Sequence, residues 1–302
     1  MTPPGGPQAL EDVCEFARGD DSPEGLSSVS RIAGDRYYCV NDRGGMLYEV
    51  EIALSPAGDD GTFAVRHAVK LDGCVDLEGC AYDPLTHWVW VSDEHDSSIR
   101  AYDPKSGCLV AKASVPAVYR EHSRRNRSIE GLAISPDGRR MYAVNEDTLA
   151  CDGEPANAEH GGIVRIQEFV RADSADPWKP TRQFRYATDA VGGEMYKGMA
   201  ISGVSSLCAP GGGRLLVLER EMSVKKGVLP MFRCRIYEVS LPPGAPGREP
   251  VAKRLLWDEN TMFANYEGLS LGSDRPDGTC TFVLMADAGS GADANVLFLS
   301  GR

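Results

Sequence analysis

The stretch IEGLAISPDGRRMYAVNED, residues 129–147, contains the pattern that decides the fold. An apolar run that begins with Ile129-Glu130-Gly131 leads into the turn Ser135-Pro136-Asp137-Gly138, and a second apolar run ends in Asn145-Glu146-Asp147. Pro and Gly between two short apolar runs are typical of a tight connection between strands. The stretch therefore predicts two antiparallel strands, with polar residues at the start of the first and at the end of the second.

Related units recur along the chain, and this repetition predicts the architecture. Five segments begin alike, and they lie at residues 24–30, 77–83, 129–135, 203–209 and 266–272. Each is followed by further strand-like runs, whereas the periodicity of a long amphipathic helix is absent. Units of four antiparallel strands around a ring form a β-propeller. The sequence thus predicts an all-β protein, a β-propeller with five four-stranded blades. A six-bladed ring is the alternative, although its additional unit is not visible.

The last unit has only three strand-like runs, so an outer strand is missing. The segment DVCEFA, residues 12–17, can supply this strand and close the ring. Closure would remove the open sheet edges that otherwise pair with other chains. We expect a single propeller domain over residues 11–302, preceded by a flexible tail over residues 1–10.

The balance of charges limits the class of partner. The 302 residues include 44 Asp and Glu against 32 Lys and Arg, a formal net charge of −12. Proteins that coat DNA or RNA need a basic surface, so we expect no nucleic-acid partner. No apolar run approaches the roughly 18 residues that span a bilayer, so we expect no membrane span. Residues 1–7 lack the basic start and apolar core of a signal peptide, which leaves a cytoplasmic location open. We also expect a monomer.

The nine cysteines include no C-x-x-C pair, which argues against a structural zinc site. Several of them, such as Cys39 and Cys208, lie in apolar runs and are expected to be small buried side chains. One or two disulfides in an exported protein are the alternative.

Acidic residues recur where the first strand of each unit begins and the second ends. In a blade these two places lie on the same face, so the units together predict a ring of carboxylates around one end of the channel. Close like charges repel, and Ca²⁺, which takes about six to eight oxygen ligands, would resolve the repulsion. We expect Ca²⁺, with Mg²⁺ as the alternative, and the predicted ligands are Glu78, Asp93, Glu130, Glu267 and Asp287. The simpler interpretation is that each Glu-Gly pair shapes a blade corner, with the Glu capping backbone amides.

Basic residues beside these acids suggest a substrate. Arg43 and Arg220 follow the acids directly and suit a small anionic substrate, above all a phosphoester, because Arg offers a bidentate fork. Glu94 or Glu219 is the predicted general base, and His95 the predicted acid. These residues together predict a metal-dependent hydrolase of a phosphoester or ester.

Further basic residues, in the segment YREHSRRNR at 119–127 and at Lys225 and Lys226, are predicted to surround the site. A solvated charge run is the alternative for residues 119–127. The alternative for the whole protein is a propeller that binds a ligand or protein without chemistry, because the fold serves both uses.

One motif in the sequence is misleading. Residues 268–272 match G-x-S-x-G, but a nucleophile elbow requires a strand followed by a helix. Here the motif lies along a predicted strand, and a strand follows. A serine nucleophile is therefore not expected.

Taken together, these motifs resemble the phytase-like propeller family, which is described by the esterase-like activity of phytase. The residues that carry the resemblance are DLEG at 76–79, VSDE at 91–94, EGLAISPDG at 130–138, LLVLER at 215–220 and EGL at 267–269 with Asp287. The resemblance extends over roughly residues 24–300. It implies a propeller, usually exported to the periplasm or the extracellular space, and phosphoester or ester hydrolysis. The R-H-G-x-R-x-P signature of histidine phytases is absent, so that mechanism is not expected.

Overall fold

The computed structural model describes residues 7–19, 21–124, 127–192, 200–223, 231–273, 275, 279–287 and 294–301. Within these residues the chain forms five four-stranded antiparallel sheets, which are the blades of a propeller, and one short helix. The prediction of an all-β propeller with five blades is confirmed, and the six-bladed alternative is wrong.

Each blade has its first strand at the centre and its fourth at the periphery. Blade one consists of β2 (Leu26–Ala33), β3 (Arg36–Asn41), β4 (Met46–Leu54) and β5 (Gly61–Lys70). Blade two consists of β6 (Leu77–Tyr82), β7 (Val89–Asp93), β8 (Ser98–Tyr102) and β9 (Leu109–Lys112). Helix α1 (Ala117–His122) follows and leads to blade three, which consists of β10 (Ile129–Ile134), β11 (Arg140–Asn145), β12 (Ile163–Val170) and β13 (Lys179–Ala187). Blade four consists of β14 (Ala200–Gly211), β15 (Arg214–Ser223), β16 (Met231–Ser240) and β17 (Lys253–Met262).

Blade five contains both ends of the described chain. It consists of β18 (Asn265–Leu271), β19 (Thr281–Asp287), β20 (Asn295–Gly301) and, as its outer strand, β1 (Leu10–Ala17). Strand β1 pairs antiparallel with β20 along its whole length. The predicted closing strand is therefore present, and it begins two residues before the segment 12–17 that the sequence suggests.

The core lies between the blades, where the apolar faces of adjacent sheets pack together. Between blades five and one, for example, Val29 and Tyr37 pack with Val283 and Phe298. The inner strands of adjacent blades are also joined by serine hydroxyls. Cys80 N donates to Ser28 Oγ at 3.0 Å, for instance.

The inner strand of every blade carries a β-bulge at the same place. The pairing of β6 with β7, for example, shifts between Leu77 and Cys80. The residues at this place in the five blades are Ser27, Glu78, Glu130, Ser205 and Glu267. Bulges re-aim side chains, and here they turn the glutamates toward the central channel. A Cβ at Gly79 would lie 2.6 Å from the Glu130 carbonyl oxygen, so glycine lets the inner strands come this close.

All nine cysteines are free thiols, and Cys39, Cys74, Cys80, Cys208 and Cys234 are buried. In the described part of the chain, no helix has the length and apolar character needed to cross a membrane.

Candidate functional site

Two consecutive residues at the end of each second strand have different environments. In blades two and three, the residue opposite the position just before the bulge is bonded within its own blade: Asp93, opposite Leu77, accepts from Arg100, and Asn145, opposite Ile129, accepts from Arg165 N. The side chain of the next residue points the other way, because side chains alternate along a strand, and its charge acts on residues of other blades across the channel. In the five blades these channel-facing residues are Asp42, Glu94, Glu146, Arg220 and Asp287.

We use the term channel mouth for this end of the channel, where these five residues meet Asp76 and the glutamates of the three Glu-Gly bulges. The charges of these residues influence one another across the channel. For example, Glu267 of blade five raises the pKa of Glu78 in blade two, although burial is the larger cause. The residues of the five blades therefore form one continuous site.

Five carboxylates of blades two and three lie close enough to hold a cation. One oxygen of each of Asp76, Glu78 and Glu94 lies within 4.8 Å of the others, and so does one of each of Glu94, Glu130 and Glu146. Glu94 belongs to both groups. All candidate ligand atoms are carboxylate oxygens, which are the ligands that Ca²⁺ and Mg²⁺ prefer.

Burial and like charges keep these acids from ionising readily. The pKa of Glu130 lies well above its usual value because the side chain is buried and lies near the charges of Glu78 and Glu146. Burial is also the main cause that raises the pKa of Glu94 to about 7, and the Ser128 N–H, which donates to Glu94 Oε1 at 2.7 Å, opposes it. With all of these acids ionised, the mouth would therefore hold more negative charge than its buried surroundings can stabilise.

Arg220 offsets part of this charge. Its Nη2 donates to Glu146 Oε1 at 2.9 Å, and its Nη1 donates to Glu267 Oε1 and, at 3.2 Å, to Asn265 Oδ1. Asn265 Nδ2 in turn donates to Glu267 Oε1 at 2.8 Å. The pKa of Glu267 is still raised to about 7, because burial and the charge of Asp287 outweigh Arg220. Arg220 thus joins blades three, four and five.

The structure brings six of the ten predicted site residues together at the mouth. They are Glu78, Glu94, Glu130, Arg220, Glu267 and Asp287. Glu78 and Glu130 accept no hydrogen bond from a backbone amide within the described residues. The interpretation that these glutamates cap amides at a blade corner therefore lacks support.

Asp93 and Glu219 are buried and bonded to other groups. Asp93 accepts hydrogen bonds from the backbone N–H groups of Val75, Asp76 and His95, and from Arg100 at 3.1 Å. These hydrogen bonds connect the segments of the chain that meet at this end of blade two.

Glu219 faces the gap between blades three and four. It accepts from Tyr186 Oη at 2.6 Å, from Asp189 N at 3.0 Å and from Lys253 Nζ at 2.6 Å. The structure does not bring it to the groups of acids at the mouth.

His95 and Arg43 lie at the rim. His95 is exposed in the turn after β7, and its charge lowers the pKa of Asp76, which burial and Asp93 raise. The side chain of Arg43 is 91% exposed, and its Nε lies 3.4 Å from Asp42 Oδ2. Both are accessible to a substrate.

Two arginines of the basic segment 119–127 contact other residues of the protein. Arg124 donates to the carbonyl oxygens of Thr148 and Gly153, and Arg127 Nη1 lies 3.4 Å from Asp147 Oδ2. Residues 125 and 126 of this segment, together with Lys225 and Lys226, lie outside the described residues.

Three mouth residues were not predicted as site residues from the sequence. Glu146 follows Asn145 as Glu94 follows Asp93, so an alignment of the five units contains the signal for it. Asp76 lies two residues before Glu78. Asp42 follows Asn41 in blade one as Glu94 follows Asp93 in blade two, whereas Glu24 of the first Glu-Gly pair is exposed before β2. A Cβ at Gly25, whose φ is +65°, would lie 2.2 Å from Asp42 Oδ1.

Comparison with known structures finds distant matches only, and no argument rests on them. A hydrazine synthase from Kuenenia stuttgartiensis is 15% identical with a TM-score of 0.41, and the match covers 90% of this chain and 58% of that one. The tail fibre of Staphylococcus aureus phage P68 is 13% identical with a TM-score of 0.48, and the match covers 97% of this chain and 52% of that one. A gluconolactonase from Xanthomonas campestris is 9% identical with a TM-score of 0.42, over 100% and 96% of the two chains. This chain thus spans less than two thirds of the first two proteins.

Comparison at the level of sequence is more informative. No functionally curated protein matches the chain. The family described as "Phytase-like: Esterase-like activity of phytase" matches residues 23–288, which include every residue of the channel mouth. Since this match extends over most of the chain, the protein belongs to the phytase-like family.

Proposed function

We propose that this protein is a metal-dependent hydrolase of a phosphoester or carboxylic ester, which uses a divalent cation held at the channel mouth. The observation that carries the proposal is the pair of carboxylate groups that share Glu94. Membership of the phytase-like family supports ester hydrolysis. Because all mouth residues come from one chain, a monomer is sufficient for this function.

Two buried acids elsewhere in the protein, Asp83 and Glu168, differ from those of the mouth. Asp83 is fully buried, and Arg171 Nη2 lies 2.5 Å from its Oδ1, while Glu168 contacts Arg140 and Arg182. The pKa values of both acids lie below normal, because hydrogen bonds from arginine outweigh their burial.

Glu130 has no such partner. It is 7% exposed, and within the described residues no hydrogen bond or ion pair holds its carboxylate. A buried carboxylate without a partner is costly, and a bound cation would remove this cost. The donor set therefore fits a divalent cation.

The ligand set favours Ca²⁺ over Mg²⁺. Ca²⁺ accepts about six to eight oxygens in variable geometry, and carboxylates can bind it through one or both oxygens. Mg²⁺ requires near-octahedral geometry, usually keeps several waters and binds through one or two carboxylates, fewer than the three that each of the two groups supplies. We therefore propose Ca²⁺, with Mg²⁺ as the alternative.

The chain's own residues suggest how the site would act. A cation bound here would polarise an oxygen of the phosphoryl or acyl group. Glu94 is the candidate general base, because it borders both carboxylate groups and the Ser128 N–H fixes one of its oxygens, while the other members of the groups would hold the cation. His95 at the rim is the candidate acid. Arg43, which is exposed at the rim, would contact an anionic substrate, and we assign Arg220 the role of holding Glu146 and Glu267 in place.

Titration of the EDTA-stripped protein with Ca²⁺ and Mg²⁺, followed by assays on nitrophenyl phosphate, bis(nitrophenyl) phosphate and nitrophenyl acetate, tests the proposal. We expect Ca²⁺ to bind, at least one substrate to be hydrolysed only with the cation present, and Glu130→Gln to lose both properties. Glu51→Gln is the matched control, because Glu51 is an exposed acid in an ion pair with Arg66.

A protein that binds neither cation would refute the metal site. Cation binding without turnover on any substrate would favour a binding module. Family membership also supports a periplasmic or extracellular location, which cell fractionation tests.

A further inference from the structure

The channel has a second recess at the end opposite the mouth. A cavity of about 390 Å³ is lined by the later residues of all five inner strands. Its apolar lining includes Val29, Leu132, Leu207 and Leu269, which lie two residues beyond the bulge positions at the mouth. Pro84 and Pro136, from the loops that follow two of these strands, form part of its rim. The cavity thus lies on the opposite face of the propeller from the carboxylates.

The chemistry of this cavity is the reverse of that at the mouth. Its lining contains one charged residue, Arg31, and no carboxylate. Arg31 Nε donates to the Gly34 carbonyl oxygen at 3.0 Å, and within the described residues the guanidinium forms no ion pair. Its two Nη groups therefore remain available for an anion.

Two serine hydroxyls of the lining add donors beside Arg31. Ser30 Oγ accepts a hydrogen bond from Tyr82 N at 2.9 Å, and Ser270 Oγ accepts one from Arg31 N at 3.0 Å. A hydroxyl that accepts in this way keeps its own proton to donate. Within the described residues neither hydroxyl donates to the protein. A cation and two hydroxyl donors, without a competing carboxylate, are suited to a carboxylate group.

We propose that this cavity binds a small amphiphilic carboxylate, whose anionic end contacts Arg31, Ser30 and Ser270 and whose apolar part contacts the strand residues. Sites for small ligands are commonly about 300–1,000 Å³ in volume and mostly apolar, with a few polar groups that orient the ligand. The proposed ligand shares no residue with the channel mouth. Its binding is therefore independent of the cation and of hydrolysis.

Calorimetric titration of the EDTA-stripped protein with octanoate, octanol and octylamine tests this proposal. We expect octanoate to bind about 10-fold or more tightly than octanol, since hydrogen bonds to charged groups contribute at least this much, and octylamine to bind no better than octanol. Arg31→Met keeps the apolar stem and removes the charge, so it should reduce octanoate affinity to that of octanol. Arg36→Met is the matched control, because Arg36 is exposed on the next strand and outside the lining.

A second variant tests the location independently of charge. Ile134 is a partly buried lining residue, and Ile134→Trp should fill the cavity and abolish the binding of octanoate and octanol, while the melting temperature reports that the variant is folded. Three outcomes would overturn the proposal: no octanoate binding by the wild type, octanoate affinity unchanged in Arg31→Met, or octanoate affinity unchanged in folded Ile134→Trp. Loss of octanoate binding in Glu130→Gln would place the ligand at the mouth and would also overturn it, whereas failure of the hydrolase assays would not affect it.

Discussion

Arg220 Nη2 lies 2.9 Å from Glu146 Oε1, an ion pair that joins the fourth blade to the third across the channel mouth. The same guanidinium contacts Glu267 of the fifth blade. Glu130, on the strand beside Glu146, has no such partner within the described residues. The protein therefore provides a cation for Glu146 and Glu267 itself, whereas within the described residues Glu78 and Glu130 have no ion-pair partner.

Glu130→Gln should separate a cation site from a structural acid. Gln keeps the size of the side chain and removes one charge from a crowded group, so the metal-free variant should unfold at the same temperature as the wild type or slightly higher. The rise in melting temperature on adding Ca²⁺ should shrink, because a ligand that binds only the folded state stabilises it by mass action. Thermal denaturation with EDTA and with Ca²⁺ measures both effects.

Glu168→Gln is the control for this experiment. Glu168 is also buried but contacts Arg140 and Arg182, so its substitution should lower the free energy of unfolding by roughly 1–3 kcal/mol and leave the response to Ca²⁺ unchanged. If Glu130→Gln behaves in the same way as Glu168→Gln, Glu130 is a structural acid.

Arg220→Met should increase the stabilisation by Ca²⁺, whereas Glu130→Gln should decrease it. It removes the charge that partners Glu146 and Glu267, so the metal-free protein should lose about 3 kcal/mol or more of its free energy of unfolding. Added Ca²⁺ should restore part of this loss, and the Ca²⁺-induced rise in melting temperature should exceed that of the wild type. Arg171→Met, which removes the partner of Asp83, should destabilise the protein without enhancing the response. Equal responses in the two variants would argue against a cation near Arg220.

The stability of the metal-free protein should fall as the pH rises from about 5 to about 8. The folded-state pKa values of Glu94 and Glu267 are raised from 4.5 to about 7, and those of Glu78 and Glu130 are raised as well. Between the unfolded and folded values the folded protein binds more protons than the unfolded chain, so stability is lost as these acids ionise.

Urea denaturation at several pH values in EDTA measures this slope. Ca²⁺ should stabilise the protein more at about pH 8 than at about pH 5, because the ionised acids bind it. Glu94→Gln should reduce the slope. A stability in EDTA that stays level or increases across this range would contradict the raised pKa values.

Gly79→Ala should destabilise the protein, because two inner strands lie too close together at this residue to accommodate a Cβ. A Cβ at residue 79 would lie 2.6 Å from the Glu130 carbonyl oxygen, and moving that backbone would cost about 1–3 kcal/mol. Gly244→Ala is the control, because a Cβ at residue 244 would have no atom within 4 Å. The same loss of stability in both variants would mean that the close approach at Gly79 is not the cause.

The fold could be predicted from the sequence because the signal was repeated. A single segment such as residues 129–147 indicates only a hairpin, but five similar segments leave a ring of five blades as the simplest arrangement. Even the closing strand could be anticipated, since one blade lacked its outer strand. The two-residue error at its start has no structural consequence for the site.

The candidate site was harder to predict, because alternation alone does not say which of two neighbouring acids faces the channel. Asp93 and Glu94 are adjacent, and the bulge at Glu78 changes the pairing opposite them. Asp93 was predicted as a metal ligand, yet it is buried against Arg100 and three backbone amides. Glu146 was predicted to lie in the carboxylate ring but not among the ligands or catalytic residues, although it occupies the same place in blade three as Glu94 does in blade two.

The pairing of β1 with β20 has a consequence for how the protein is made. Strand β1 is among the first parts of the described chain to be synthesised, but its partner β20 is the last of the described strands, so the ring cannot close during translation until β20 has left the ribosome. Until then both strands have unpaired edges, and such edges readily pair with other chains. At high concentrations of nascent protein, β1 of one molecule would complete blade five of another. The yield of folded protein should therefore depend on how crowded the chains are at the moment they are released.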